Sequence, residues 1–314
     1  LRRESVKKAF LVPGLICLIS ILYLPQALAG APWSEMAPKG IFWARFYNIQ
    51  ASSSQKFDNR GEKYDLPEAI KENVEAVDLA YGITDNFFVA AVIPYYSDRS
   101  YLKQSQSGIG DIEVGGQYRY YKSNRWSSAL RLGVRFPTGH VDDPNDARDI
   151  SLGSGYTRIR ISNLTDYMTP DKTWIFSGKL RLNWQLEAEY DSGTAYRAKY
   201  AGLGSTYKKD PGEELWVAVG VERRNLFPDD VRLSLTLEGR FHAHDNYISG
   251  SEAFDRAKEK NSSTILYFLQ PEIKYSLWKK HKIPMRIYCN YRIPLDGRNS
   301  YETSRTEVGV EVFF

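Results

Sequence analysis

Apolar and polar residues alternate one by one along stretch after stretch of this 314-residue chain, and helical periodicity is hard to find after Gly40. The clearest stretch is Asp111 to Tyr120. Ile112, Val114, Gly116, Tyr118 and Tyr120 share one face of a strand there, and Asp111, Glu113, Gly115, Gln117 and Arg119 share the other. Such a strand fits a soluble half-buried sheet, whose charged face meets water. It fits equally a membrane barrel, whose apolar face meets lipid while the charged face lines a wet lumen. One strand cannot separate the two.

The whole set of strands separates them. Similar runs occupy 41–49, 74–81, 87–95, 127–136, 156–163, 174–184, 215–221, 231–241, 265–277, 285–293 and 305–314. With 111–120 they make twelve, an even number, and most are near the ~9–11 residues that carry a tilted strand across a bilayer. Connections alternate in length. Short turns are expected at 82–86, 122–126, 166–173, 224–230 and 279–282, and long polar loops near 50–73, 96–110, 137–155, 185–213, 243–263 and 295–304. A soluble sandwich has no reason to sort its loops this way, whereas an outer-membrane barrel keeps its turns periplasmic and its loops outside. The chain is also rich in aromatics, with 22 Tyr, 14 Phe and 7 Trp. They gather at strand ends, with Tyr118, Tyr120, Tyr121, Trp126, Trp174, Tyr275 and Trp278 by the short turns. Phe136, Tyr156, Trp184, Phe241 and Tyr267 sit by the long loops. Two such girdles mark the two membrane interfaces. The expected fold is all-β, an antiparallel up-and-down transmembrane β-barrel of about twelve strands occupying 30–314 as one domain, located in the cell outer membrane.

The segment before it reads as a cleavable signal peptide over 1–29. Arg2, Arg3, Lys7 and Lys8 form a basic start, 9–24 is apolar, and Ala27-Leu28-Ala29 supplies the small residues of a cleavage site. Removing it takes most of the +4 formal charge, so basicity is no argument for nucleic-acid binding. Only Cys17 and Cys289 are present, which excludes a disulfide scaffold and a four-cysteine zinc site. Cys17 follows Ile16, which is not small, so it is no lipid-attachment site.

Assigning the charged strand faces to the interior places Arg119, Arg131, Arg135, Arg158 and Arg160 there. Lys179, Arg181, Arg232, Arg240, Arg286 and Arg292 follow, with Arg45, Lys274 and Arg305 beside them. The interior acids are Asp111, Glu113, Glu238, Glu272 and Glu307, together with Asp78, Glu222 and Glu311. Basic groups outnumber acids. Two readings stay open: a self-neutralising network that fills and stiffens the barrel, or a basic track that draws anionic solutes through. Twelve strands lie between barrels filled by their own side chains and barrels that leave a channel.

Catalytic chemistry finds little support. The four histidines are His140, His242, His244 and His281, and none joins a serine or aspartate constellation. His242 and His244 read as a solvated rim. Asp142, Asp143, Asp146 and Asp149 lack the glycine and terminal glutamate of an EF-hand and read as a solvated acidic loop. Gly108-Ile109-Gly110 opens like a nucleotide fingerprint, but Glu113 stands at the third glycine position and a strand follows. No catalytic residue, metal ligand or cofactor is assigned.

Phe314 ends the chain, with Val308, Val310 and Val312 at alternating positions before it. This looks like the C-terminal assembly signal of bacterial outer-membrane barrels, and it makes the barrel-assembly machinery an expected partner alongside outer-membrane lipid. Other runs extend the likeness. They are Ala80-Tyr81-Gly82-Ile83-Thr84-Asp85-Asn86, Val92-Ile93-Pro94-Tyr95, Gly108-Ile109-Gly110-Asp111-Ile112, Gly115-Gly116-Gln117-Tyr118-Arg119 and Gly133-Val134-Arg135-Phe136-Pro137-Thr138-Gly139. They resemble the MetA-pathway phenol-degradation family of outer-membrane proteins. The resemblance covers residues 74–140 most closely and implies an outer-membrane, transport-like role; it carries over no site residue. The function expected is a porin-like channel for passive passage of small solutes, with anions as the finer expectation. A barrel enzyme and a surface-binding or structural barrel are the alternatives.

Overall fold

The computed structural model describes residues 33–102, 104–146, 149–226 and 231–314; the expected signal peptide lies outside them. The barrel wall begins with β1 (Phe42–Phe57), β2 (Lys63–Thr84), β3 (Phe87–Tyr101), β5 (Glu113–Lys122), β6 (Trp126–Arg135) and β7 (Arg158–Met168). It continues with β8 (Trp174–Gln185), β11 (Glu214–Leu226), β12 (Val231–His242), β14 (Thr264–Ser276), β15 (Met285–Arg298) and β16 (Tyr301–Phe313). Each strand pairs antiparallel with its neighbours, β1 pairs with β16, and β2 pairs with β3, so the twelve close into a barrel. The short β4 (Gln104–Ile109) pairs only with β3.

Closure depends on which way the strands face. Leu132, Leu180 and Val219 are 51%, 53% and 58% exposed on the outer surface, whereas Arg131 and Arg181 between them are 7% and 1% exposed. Shifting one strand by a single residue would turn its arginines to lipid at about 2–4 kcal/mol each near the bilayer midplane. That penalty fixes the register. Exposed Tyr118, Tyr120, Tyr121, Trp126 and Trp278 ring the short-turn end, and Phe136, Trp184 and Tyr267 ring the other. This lipid-matched belt places the protein in the outer membrane.

Several expectations need correction. Residues 50–73, 96–110 and 295–304 are not long loops: β1 and β2 run on to a turn at 58–62, β3 folds back as β4, and β15 meets β16 across a tight turn. These hairpins rise above the bilayer, where both faces are wet and alternation has no reason to persist. Tyr156 is not in a girdle; it is buried inside, where its hydroxyl accepts from Arg158 Nη2 at 3.0 Å. Asp166 belongs to β7 and not to a turn.

At the long-loop end a small cap sits beside the mouth. It combines β9 (Ala188–Asp191), β10 (Thr206–Asp210) and β13 (Asn246–Ile248) with the helices α1 (Thr194–Lys199) and α2 (Glu252–Glu259). Tyr196, Leu203, Tyr207, Tyr247 and Phe254 form its core. The cap is tied to the rim through His242, which sequence reading leaves solvated. The structure buries it, with Nε2 2.9 Å from Asp245 Oδ1, while Lys209 Nζ lies 2.9 Å from Asp245 Oδ2. Burial alone would raise the Asp245 carboxyl, but Lys209 and the His242 hydrogen bond hold it below the usual carboxylate range.

Candidate functional site

Segments fold into the lumen from both ends. At the short-turn end residues 33–41 add no strand to the wall and lie across the mouth. Their anchor is Asp166, whose carboxylate accepts from Trp33 N (3.1 Å), Ser34 N (2.7 Å) and Ser34 Oγ (2.5 Å), and from Ser177 Oγ of the wall (2.5 Å). Trp33 packs on Leu164 and Ala218, with Lys179 Nζ 5.1 Å from its ring centroid. From there the segment crosses to β15, where Arg286 Nη2 donates to Glu35 Oε1 at 2.8 Å, and to β5, where Gln117 Nε2 donates to Glu35 O at 3.1 Å. It regains the wall at β2, where Ala37 packs on Ala80 and Phe88. Gly82 permits that contact: a Cβ there would stand 1.9 Å from Pro38 O.

Desolvation by the surrounding protein would raise the Glu35 carboxyl, but the Arg286 guanidinium outweighs it and brings the pKa to about 2; the Glu35 side chain is 41% exposed, so water screens the contact. Because this pKa lies below the usual 4.5, the contact keeps its full strength above that value. It weakens only as pH falls from 4.5 toward about 2. The latch therefore holds across the neutral range.

From the long-loop end, residues 137–146 and 149–155 fold inward. Asp111 accepts from Gly139 N (3.1 Å), Ser154 N (2.8 Å) and Ser154 Oγ (2.7 Å), and Arg99 donates to Ser151 O. Leu152 is buried among Tyr47, Val74, Tyr96 and Tyr288. Asp111 thus serves as a loop anchor, a role that its place on a charged strand face did not reveal. Asp142 in the same loop is only partly exposed, and burial raises its carboxyl.

Between these closures the expected interior charges meet in two distinct sectors. One is balanced. Arg45 Nε donates to Asp78 Oδ2 at 2.9 Å with Tyr47 Oη on the other oxygen at 3.0 Å. Arg305 pairs with Glu307, Lys274 with Glu272 at 3.3 Å, and Arg286 with Glu311 at 3.3 Å. Glu238 gathers Lys179 at 3.1 Å, Arg240 at 2.7 Å and Arg292 at 3.9 Å. The other sector, on β6 to β8, is rich in arginine. Arg160 Nη1 and Arg135 Nη2 share Glu113 at 2.5 and 3.6 Å. Arg131 donates to Gln117 Oε1 at 2.8 Å, and Arg181 Nε to Ser162 Oγ at 3.3 Å. Arg119, Arg232 and Arg286 are only half-buried; Arg119 donates to Asp85 O and Asn86 Oδ1 at the short-turn rim.

Sequence reading missed the closing parts: Trp33, Ser34, Glu35 and Asp166 at one end, and at the other Arg99, whose Nε lies 3.0 Å from Glu72 Oε1 while it donates to Ser151 O. A lone tryptophan just before the first strand is the signal that could have pointed to the first group. Among the described residues no group of three or more His, Cys, Asp or Glu side chains is arranged to hold a metal ion.

A family model described as "Putative MetA-pathway of phenol degradation" matches residues 51–212, half of the chain. No curated protein matches the sequence. Among solved structures, an outer membrane channel from Pseudomonas putida F1 superposes with a TM-score of 0.70 at 14% identity, covering 90% of this chain and 98% of that one. The translocator domain of the autotransporter NalP from Neisseria meningitidis gives 0.53 at 11% identity, covering 91% and 93%. At these identities the likeness concerns the outer-membrane barrel fold.

Proposed function

The chain belongs to that phenol-degradation family, and on this premise we propose that it is a gated outer-membrane channel for the passive passage of small solutes, drawn here closed. One observation carries the reading: the wall and the closure are separate structures. Trp43 pairs with Phe313 and with Ala80, so β1 is held on both sides without help from residues 33–38. Withdrawing that segment leaves the barrel closed as a sheet and uncovers its short-turn mouth. The similar fold of a bacterial outer membrane channel supports the same reading. An enzymatic role has less behind it: His140 pairs with Asp149 and His242 with Asp245, and neither faces a serine or cysteine nucleophile in those contacts. Lipid and the assembly machinery are the partners this reading requires, and nucleic acid is not among them.

Planar-bilayer recordings test it. Full-length protein should open rarely, and a variant lacking residues 33–38 should conduct steadily. A variant lacking residues 33–38, with the 137–155 loop intact or shortened, that migrates as a folded barrel on unheated gels yet never conducts would overturn the channel and favour a filled structural barrel.

A further inference from the structure

We propose that Arg135 and Arg158 form an oxyanion-binding site on the β6–β7 wall of the lumen. Arg135 and Arg158 stand directly opposite each other on β6 and β7, an arrangement of like charges that destabilises a sheet unless something neutral or negative lies between them. Protein groups do not supply enough. Arg135 is 2% exposed and Arg158 1% exposed, yet several of their donors find no hydrogen-bond partner among the described residues. These are Nε and Nη2 of Arg135 and Nε and Nη1 of Arg158. The nearest carboxylates are Glu113, already held by Arg160 at 2.5 Å, and Glu214, 3.9 Å from Arg158 and engaged by Asn183 Nδ2 at 2.6 Å.

A buried donor without an acceptor forfeits its hydration, and a buried cation without a counter-charge forfeits more. Native interiors seldom leave such groups so. Two guanidinium groups facing each other from adjacent strands, each with unsatisfied donors, match the acceptor oxygens of one phosphate, sulfate or carboxylate. The site is confined to the level of the wall where Arg135 faces Arg158. It concerns binding and not conduction, and it stands whether or not the barrel opens.

The test uses the full chain in detergent and follows the temperature at which it loses its folded, fast-migrating gel form. Sodium phosphate, sulfate or benzoate is compared with chloride at matched ionic strength. Phosphate or sulfate raising the midpoint by several degrees with benzoate silent would identify a tetrahedral oxyanion. The reverse would identify a carboxylate. Arg135→Gln and Arg158→Gln should abolish the rise, and in chloride neither should melt below the parent, because each relieves a like-charge pair. Should either fail to fold, Arg158→Lys keeps the charge, removes the planar fork and should require at least a tenfold higher anion concentration for the same rise. The proposal falls if none of the three anions shifts the parent or the variant lacking residues 33–38. It falls equally if the double Arg135→Gln, Arg158→Gln variant keeps the full shift.

Discussion

Replacing Asp166 with Ala should convert a closed barrel into a conducting one. The substitution removes the shared acceptor of Trp33 N, Ser34 N and Ser34 Oγ at one stroke. Hydrogen bonds to a charged group contribute roughly 1.5–3 kcal/mol each, and their loss here is partly offset because the freed donors can reach water. A net weakening of about 3–4 kcal/mol is a reasonable size for three such bonds, and at 1.4 kcal/mol per tenfold it moves the closed-to-open ratio by roughly 100- to 1,000-fold. The burial of Trp33 against Leu164 and Ala218, worth about 1.5–3 kcal/mol, then remains as the chief hold on the segment. Open probability in planar bilayers is the readout. Unchanged gating in a folded Asp166→Ala barrel would mean that the segment is not held through this carboxylate.

The largest expected loss of stability comes from Asp78→Ala. Asp78 carries both Arg45 and the Tyr47 hydroxyl, and both charged partners are almost wholly buried. Without it the Arg45 guanidinium loses its nearest counter-charge, and breaking a buried pair from one side costs about 3–5 kcal/mol. The unfolding midpoint in denaturant should fall accordingly. Replacing both partners with apolar residues of similar volume, Arg45→Met with Asp78→Leu, should restore most of the loss, because no charge is then stranded. A double variant as unstable as the single one would show that the pair is needed for more than charge balance.

Alternation revealed the barrel because lipid and lumen make opposite demands on adjacent residues. That demand ends at the bilayer surface. The run Ser52-Ser53-Ser54-Gln55 carries no apolar face and reads as loop, yet it continues β1 within a long hairpin. The interior charges were legible for the same reason as the strands: Arg131, Arg135, Arg158, Arg160 and Arg181 come together on one wall as their positions on successive strands require. What they touch was not legible, since Glu113 could be assigned to Arg160 only once register was known. The closures were invisible for a different reason. Residues 33–41 and 137–155 have no period, and Asp166 and Asp111 look like any other strand carboxylate. Their role comes from main-chain donors that arrive from distant segments.

The central claim is that residues 33–41 gate a barrel that is otherwise complete. A reversible cross-link tests it most directly. Ser34→Cys with Asp166→Cys, in a Cys289→Ser background, places two thiols where the Ser34 hydroxyl and the Asp166 carboxylate now meet at 2.5 Å. Oxidised, the segment is tied across the mouth and bilayer conductance should be near zero; reduced, it has lost its anchor and the same membrane should show steady openings. Equal conductance in the two states, with the cross-link verified on a gel, would contradict the account.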